Sequence, residues 1–596
     1  MKFVFIPLFL FVLSVRASDQ LSEIVLTVAD TNFNSSTYQV INEQDIKDSQ
    51  STQLAELLFK KTNLNISQST FEPTSIFIRG GDSSHVLFLL DGVPLYDPST
   101  IQRTTDLNSI QLSSIKKIEI IKGSQSVLYG GQALAAVVKI FTNFNPERKF
   151  NFRAQSNGLK QYVSAHQTMN IDERQKAVFG AATMAGYNQS PIQNSIEKYS
   201  EKNYQFSLAH LFKINQLELI SKIQIDNQKS NIPNLNDLTS RPVDTDQYYT
   251  NQNNQKAQMI LRQDDQLSIS LAYSENQRDY SIQQSQNING YAVQDKYFGY
   301  LTSFRLDYLF WESSKIKAKS GLALETEKFK YINAHVEKNH EMTNTEGLYV
   351  KLDSFIIPNY TFEAGARIDF EKSKYLNTTY QFGLSYNKNV KYEFSSGFKN
   401  ASLYQKSLSN NELKSEMAFT NSILWENKID DQSDYSLSFF LTQFRQLIDY
   451  DSLSKKYVNI DSVSSKGLEY QYNLKNIFHI SLTYQEPRNE KTNQWLYKRS
   501  LFTSLIDYSY QYNQFTFLTL SHKYVSSSDI KYSLNYVNKT TRLPAYSVFL
   551  LSGFINYNDR AKFFVLFDNI FNEQFQTNYS FYSPGLVSTI GFTYAL

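Results

Sequence analysis

The sequence predicts a membrane all-β protein, an antiparallel transmembrane β-barrel of 22 strands preceded by a mixed α/β domain. Three observations carry this expectation. From position 145 onward, apolar and polar residues alternate with the two-residue period of a strand, broken at intervals by Asn, Asp, Gly and Ser. Beyond Val15 no run reaches the ~18 apolar residues of a spanning helix, so only a closed barrel could cross a membrane without leaving backbone groups unpaired in lipid. Before position 145 the pattern changes to short β-branched runs stopped by glycine, as in buried strands joined by tight turns.

Composition narrows the class. The chain has 596 residues and a net charge of +2, which argues against a nucleic-acid partner. Tyrosine (41) and phenylalanine (43) are abundant while tryptophan is scarce (3); rings in such number suit a surface where hydrocarbon meets water. With no cysteine, neither a disulfide framework nor a thiolate metal site is possible. Residues 1–17 read as a signal peptide, with Lys2 at its start, an apolar core from Phe3 to Val15, and a small-residue end at Ala17.

In chain order, residues 18–36 form a polar tail interrupted by Ile24, Val25, Leu26, Thr27 and Val28, a short segment suited to strand addition onto another protein. Residues 38–62 read as strand and helix, with Leu54, Leu57 and Leu58 at helical spacing behind a Ser or Thr cap. The outward loop 95–106, with Tyr96, Asp97, Ser99, Thr100 and Arg103, and the start of the polar loop at Gln68 and Ser69 are expected to touch a ligand. Residues 143–148 mark the domain boundary. Beyond it, Phe382, Leu384 and Tyr386 alternate with Gln381, Gly383 and Ser385, and after Asn387-Lys388-Asn389 the chain returns as Val390, Tyr392 and Phe394 against Lys391 and Glu393. A charged inner face and a ringed outer face distinguish a membrane barrel from a sandwich. Roughly 450 residues, at about 20 per strand with its loops, give about 22 strands.

Several linked phrases, Ile78-Arg79-Gly80, Asp91-Gly92-Val93, Glu119 to Gly130 and Ala133 to Thr142, resemble the plug domain of TonB-dependent outer-membrane transporters. Ser84-His85-Val86-Leu87 is most similar to the cobalamin branch of that family. Phrases near Leu447, Lys466-Gly467-Leu468-Glu469 and Asp568-Asn569 extend the resemblance through the barrel. The resemblance implies that residues 37–144 fill the lumen as a plug and 145–596 form the wall. It implies that Glu23 to Val28 act as a TonB box for the TonB–ExbB–ExbD complex, in a monomer of the bacterial outer membrane that is a transporter of cobalamin or another corrinoid and not an enzyme. A siderophore or metal-chelate receptor is the nearer alternative, a non-transporting binding barrel the more distant one. Family plugs pair two arginines with two wall glutamates. Carried over, this gives Arg79, Lys122 and Glu469, with Ser422 in the place of the second glutamate and lysine in that of the second arginine.

No catalytic constellation occurs. His335, Glu337, His340 and Glu341 read as a solvated loop. Asp237, Asp244 and Asp246 supply hard oxygen donors suited to calcium; no cofactor is required, and calcium in the outer loops is the single metal expectation.

Overall fold

A computed structural model describes residues 37–595, apart from 70–71, 111, 146, 157–158, 194, 246, 334–336, 373–374, 410–412, 452–453, 461 and 476. The expected signal peptide, residues 1–17, and the expected TonB box, Glu23 to Val28, therefore lie outside the described residues.

The N-terminal domain runs β1 (Thr37–Ile41), α1 (Glu43–Ser49), α2 (Leu54–Lys61), β2 (Asn65–Ser69), β3 (Glu72–Phe77), β4 (Val86–Leu90), β5 (Val93–Pro94), β6 (Ile115–Lys122), α3 (Ser126–Tyr129) and β7 (Ala136–Thr142). A five-stranded sheet has the order β1-β6-β7-β4-β5, with only β4 and β7 parallel; β2 and β3 form a separate hairpin. The helical pattern resolves into two helices. Asn42 caps the first through a reciprocal box with Asp45, as short polar side chains do at helix starts. The expected Ser/Thr cap of α2 is absent: Gln53 holds the position without a side-chain bond, and Glu56 reaches back to the Thr52 amide instead, at 3.0 Å. Leu54, Leu57 and Leu58 turn inward against Ile118, Ile120, Val138 and Ile140, giving this domain a core of its own.

The second domain is a closed barrel of 22 antiparallel strands. Val587–Ala595 closes it onto Glu147–Gln155, with Phe592 opposite Phe152. Parity sorts the faces as alternation requires: Phe382, Tyr386 and Val390 are exposed outward, while Gln381, Ser385, Lys391 and Glu393 are buried inward. No helix among the described residues is long and apolar enough to cross a membrane. At one rim the strands join by short turns, such as 387–389 and 557–560. The other rim carries hairpins at 234–243, 448–459 and 528–543 and a short helix, Leu403–Ser407. This asymmetry separates the periplasmic rim from the outer one in barrels of this kind.

The α/β domain sits inside the barrel as a plug. Its apolar contacts with the wall form separate patches: Val93, Phe141 and Phe144 lie against Val178, Ala209, Leu211, Ile220, Ile260 and Ala272, and Leu134 and Ala135 against Ala418, Phe444 and Val463. A cavity of about 1560 Å³ remains at the periplasmic rim, bordered by β1, α1 and the short turns.

Candidate functional site

Plug and wall meet through charge. In the turn that follows Ile78, Arg79 takes a left-handed φ of 49° and Gly80 one of 85°. A side chain at position 80 would press on Ser465 of the wall, its Cβ 2.6 Å from that of the serine, so glycine lets the turn lie against the barrel. Arg79 Nη2 then donates to Glu469 Oε2 at 2.7 Å and to Thr37 Oγ1 at 3.0 Å, and its guanidinium lies 4.7 Å over the Phe440 ring. Lys122 reaches the other oxygen of Glu469 at 3.0 Å. One carboxylate thus serves both cations, all three side chains being nearly inaccessible to solvent.

Ser422 is buried in the wall, and a second acidic contact forms through Glu416 instead. Its Oε2 meets His85 Nε2 at 3.3 Å and Lys399 Nζ at 2.7 Å. The Asp82 amide donates to His85 Nδ1 at 3.2 Å, which leaves Nε2 as the protonated nitrogen facing Glu416. Further pairs circle the plug: Glu56 with Arg153 at 2.8 Å, Lys60 with Asp568 at 2.9 Å, and Asp82 with Arg499 at 3.6 Å. Asp91, in a left-handed turn, accepts from the Thr142 amide and hydroxyl and faces wall Lys222 at 3.6 Å. Lys523 of the wall donates to the carbonyls of Phe59, Thr62 and Leu64 at 2.9, 3.0 and 3.1 Å, covering the carbonyl end of α2 with a cation. Burial alone would push the Glu56 carboxyl up, but Arg153 and Lys60 outweigh it and hold it well below the ordinary carboxylate range. Asp82 is also held low against the burial that would raise it, with the Arg499 and Lys399 cations among its causes.

The outward loop corrects an expectation. Tyr96, Asp97, Ser99 and Arg103 are buried against the wall and not offered to a ligand. The Tyr96 hydroxyl lies 2.9 Å from both Glu325 and Glu327, within reach to donate to either, and Arg103 pairs with Glu327 at 2.9 Å while donating to the Asn400 carbonyl. Asp97 accepts from the Ser99 amide and hydroxyl, both at 2.7 Å, and meets Arg278 at 3.3 Å. Thr100 bonds only within the loop, to the Asp97 carbonyl and the Thr104 amide. Wall strands bring acidic and basic partners within reach of Tyr96, Asp97, Ser99 and Arg103, so these four side chains seat the plug. Gln68 and Ser69 fall at the end of β2, and their side chains lie outside the described residues.

Immediately above this loop the wall is lined with tyrosine. Gly299 faces the plug, since a Cβ there would run into Asp97 and Ser99. Tyr297, two residues along the same strand, shares that face one step, about 7 Å, further out. It stands in register with Arg278 on one side and Tyr331 on the other. Tyr297 and Tyr331 stack with centroids 4.8 Å apart, and Tyr280 packs edge-on to Tyr297 at 6.1 Å. Tyr404 of the outer-rim helix packs on Phe329 at 5.9 Å and on Tyr457 at 6.4 Å. Burial, with the Tyr450 phenol and the Asp295 carboxylate, pushes the Tyr404 hydroxyl up, so it stays a hydrogen-bond donor. No sequence expectation included these rings. Strand parity counted from Gly299 and Glu327 was the signal that could have selected Tyr297 and Tyr331 among so many tyrosines.

The proposed metal donors are not gathered. Asp244 accepts from the hydroxyls of Ser190, Ser195 and Tyr199, each at 2.7 Å, and Asp237 accepts from Tyr291 at 2.9 Å. Asp246 lies outside the described residues, as does His335. Among the described residues no group of three or more His, Asp or Glu side chains is placed to hold a metal ion.

A barrel stoppered from within by a charge-seated domain, beneath a ring-lined vestibule, defines a class of gated outer-membrane transporter. Residues 31–137 match the family model described as TonB-dependent Receptor Plug Domain, and residues 136–570 match the one described as TonB dependent receptor-like, beta-barrel. The chain belongs to the TonB-dependent receptor family, which places it in the outer membrane and gives it TonB-dependent transport. Solved structures share the fold at low identity. The siderophore receptor PirA from Acinetobacter baumannii is 13% identical, with a TM-score of 0.78 over 94% of this chain and 98% of that one. The ferric enterobactin receptor PfeA from Pseudomonas aeruginosa, in a mutant form complexed with enterobactin, is 14% identical, with a TM-score of 0.76 over 94% and 99%. The ferric-catecholate import receptor Fiu from E. coli K12 is 14% identical, with a TM-score of 0.75 over 96% and 98%.

Proposed function

We propose that this chain takes up a large metal chelate, a corrinoid or a ferric siderophore, and releases it to the periplasm when the TonB–ExbB–ExbD complex pulls on Glu23 to Val28. The observation that carries the reading is the position of Thr37. This first described residue sits in β1 at the sheet edge, where its hydroxyl touches both Arg79 and Ser438 of the wall. A force applied to the leader is thus delivered beside the buried Arg79–Glu469–Lys122 cluster. The solved structures with this fold include receptors named for siderophores, which supports the ferric-chelate reading. The phrase Ser84-His85-Val86-Leu87 supports the corrinoid reading. The protein works as a monomer, without a resident cofactor and without catalysing a reaction.

Uptake of labelled cobalamin and of labelled ferric chelates, in cells carrying the intact chain or one lacking residues 22–29, tests both points. The deletion is expected to keep surface binding and abolish accumulation. Equal accumulation by the two chains refutes TonB-driven uptake, and the labelled compound that accumulates identifies the cargo.

A further inference from the structure

We infer that the vestibule selects a chelate with no net negative charge, one that offers flat or C–H-rich faces to tyrosine rings. This deepens the uptake reading and rests on it for the purpose of the site. The inference follows from where the charges go. Arg278, the cation in register with Tyr297, is held by Asp97 at 3.3 Å and donates to the Ser99 carbonyl at 3.0 Å. Arg103 is held by Glu327, and Lys406 of the outer-rim helix by Glu371. Each of these cations therefore enters the site already neutralised by a carboxylate.

Asp295 is the opposite case. It lies on the face of Tyr297, two residues further out, and accepts only from the Tyr331 hydroxyl, at 3.1 Å; among the described residues no cation pairs with it. Glu325 adds another carboxylate beneath, bonded to Tyr96. The lining next to the plug apex is consequently aromatic with an acidic balance. An anionic chelate entering it would meet repulsion with no freed cation to answer it, whereas a neutral or cationic one meets π faces and phenol donors.

The test is calorimetric titration of the purified full chain in detergent at low salt with three probes: ferric triscatecholate, which carries three negative charges, an uncharged ferric trihydroxamate, and cyanocobalamin. A neutral probe is expected to bind at least about tenfold more tightly than the trianion. Added salt should narrow the gap. Asp295→Lys is expected to tighten binding of the trianion by about tenfold or more, whatever the natural cargo, because it supplies the missing cation. A trianion that binds at least as tightly as both neutral probes overturns the inference, and so does an unchanged trianion affinity in Asp295→Lys. The two readings fail separately. A trianion that binds and is accumulated ends the charge inference and leaves uptake standing, while a neutral chelate that binds yet is never accumulated ends uptake and leaves the charge inference.

Discussion

Replacing Glu469 by glutamine removes the charge that two buried cations share. Arg79 and Lys122 lie 2.7 and 3.0 Å from its oxygens, with side-chain exposures of 0% and 2%, so neither can recover hydration in place. Breaking a buried pair by removing one partner costs about 3–5 kcal/mol. Glutamine keeps one carbonyl oxygen for Arg79, which points to the lower end, about 3 kcal/mol. Since every 1.4 kcal/mol is tenfold in an equilibrium constant, local opening of the plug should become roughly a hundredfold more frequent. Amide exchange read by mass spectrometry on the full chain in detergent measures this directly. Peptides covering β1, the turn at Arg79 and β6 are expected to exchange roughly a hundredfold faster in Glu469→Gln, while wall peptides on the far side stay unchanged. Adding Lys122→Met should recover part of the loss, because one of the two stranded charges is then gone. Exchange within threefold of wild type in β6 would mean that this carboxylate does not hold the plug, and the electrostatic account of the seat would be wrong.

Lys523→Met should loosen α2 by about 2 kcal/mol, since three carbonyls lose a buried donor; exchange of the helix amides reports it. Lys122→Arg combined with Ser422→Glu is expected to slow exchange in β6 by building a second plug-to-wall pair, with little effect from Lys122→Arg alone. Gly299→Ala should displace the apex, because the added methyl meets Asp97 and Ser99; weaker ligand binding with an intact barrel melt is the expected outcome. Glu56 and Asp82 have folded-state pKa values lowered below their ordinary ones. Their contribution to plug stability is therefore complete above the ordinary carboxylate range near pH 4 and declines as pH falls below it. Plug exchange should be flat from about pH 7 to 5 and accelerate below about pH 4 beyond the intrinsic trend.

Much of the architecture was legible because a barrel wall repeats one rule. Residues 381–394 show it in full, with burial following every second residue through a turn that two left-handed residues, Asn387 and Lys388, make tight. Glycine-stopped runs located β4 and β6 for the same local reason. The site was harder to read because its contacts join residues hundreds of positions apart. Tyr96 and Arg103 look like ligand contacts in a polar loop until the strand Ile316–Ile332 carries Glu325 and Glu327 to them. Glu416 stands six residues before the position that the resemblance singles out, and only the folded wall brings it to His85. The start of α2 departs from the expected Ser or Thr cap because Glu56, inside the first turn, reaches back to the Thr52 amide.

Because paired charges circle the plug between its separate apolar patches, much of its seam is hydrophilic once parted. Each pair that separates during a tug exposes groups that water welcomes, so the advancing gap lubricates itself instead of baring sticky surface to the lumen. The same pairs offer every stranded ion a waiting counter-ion on return, which lets one molecule be unseated and reseated through many cycles without clogging its own passage.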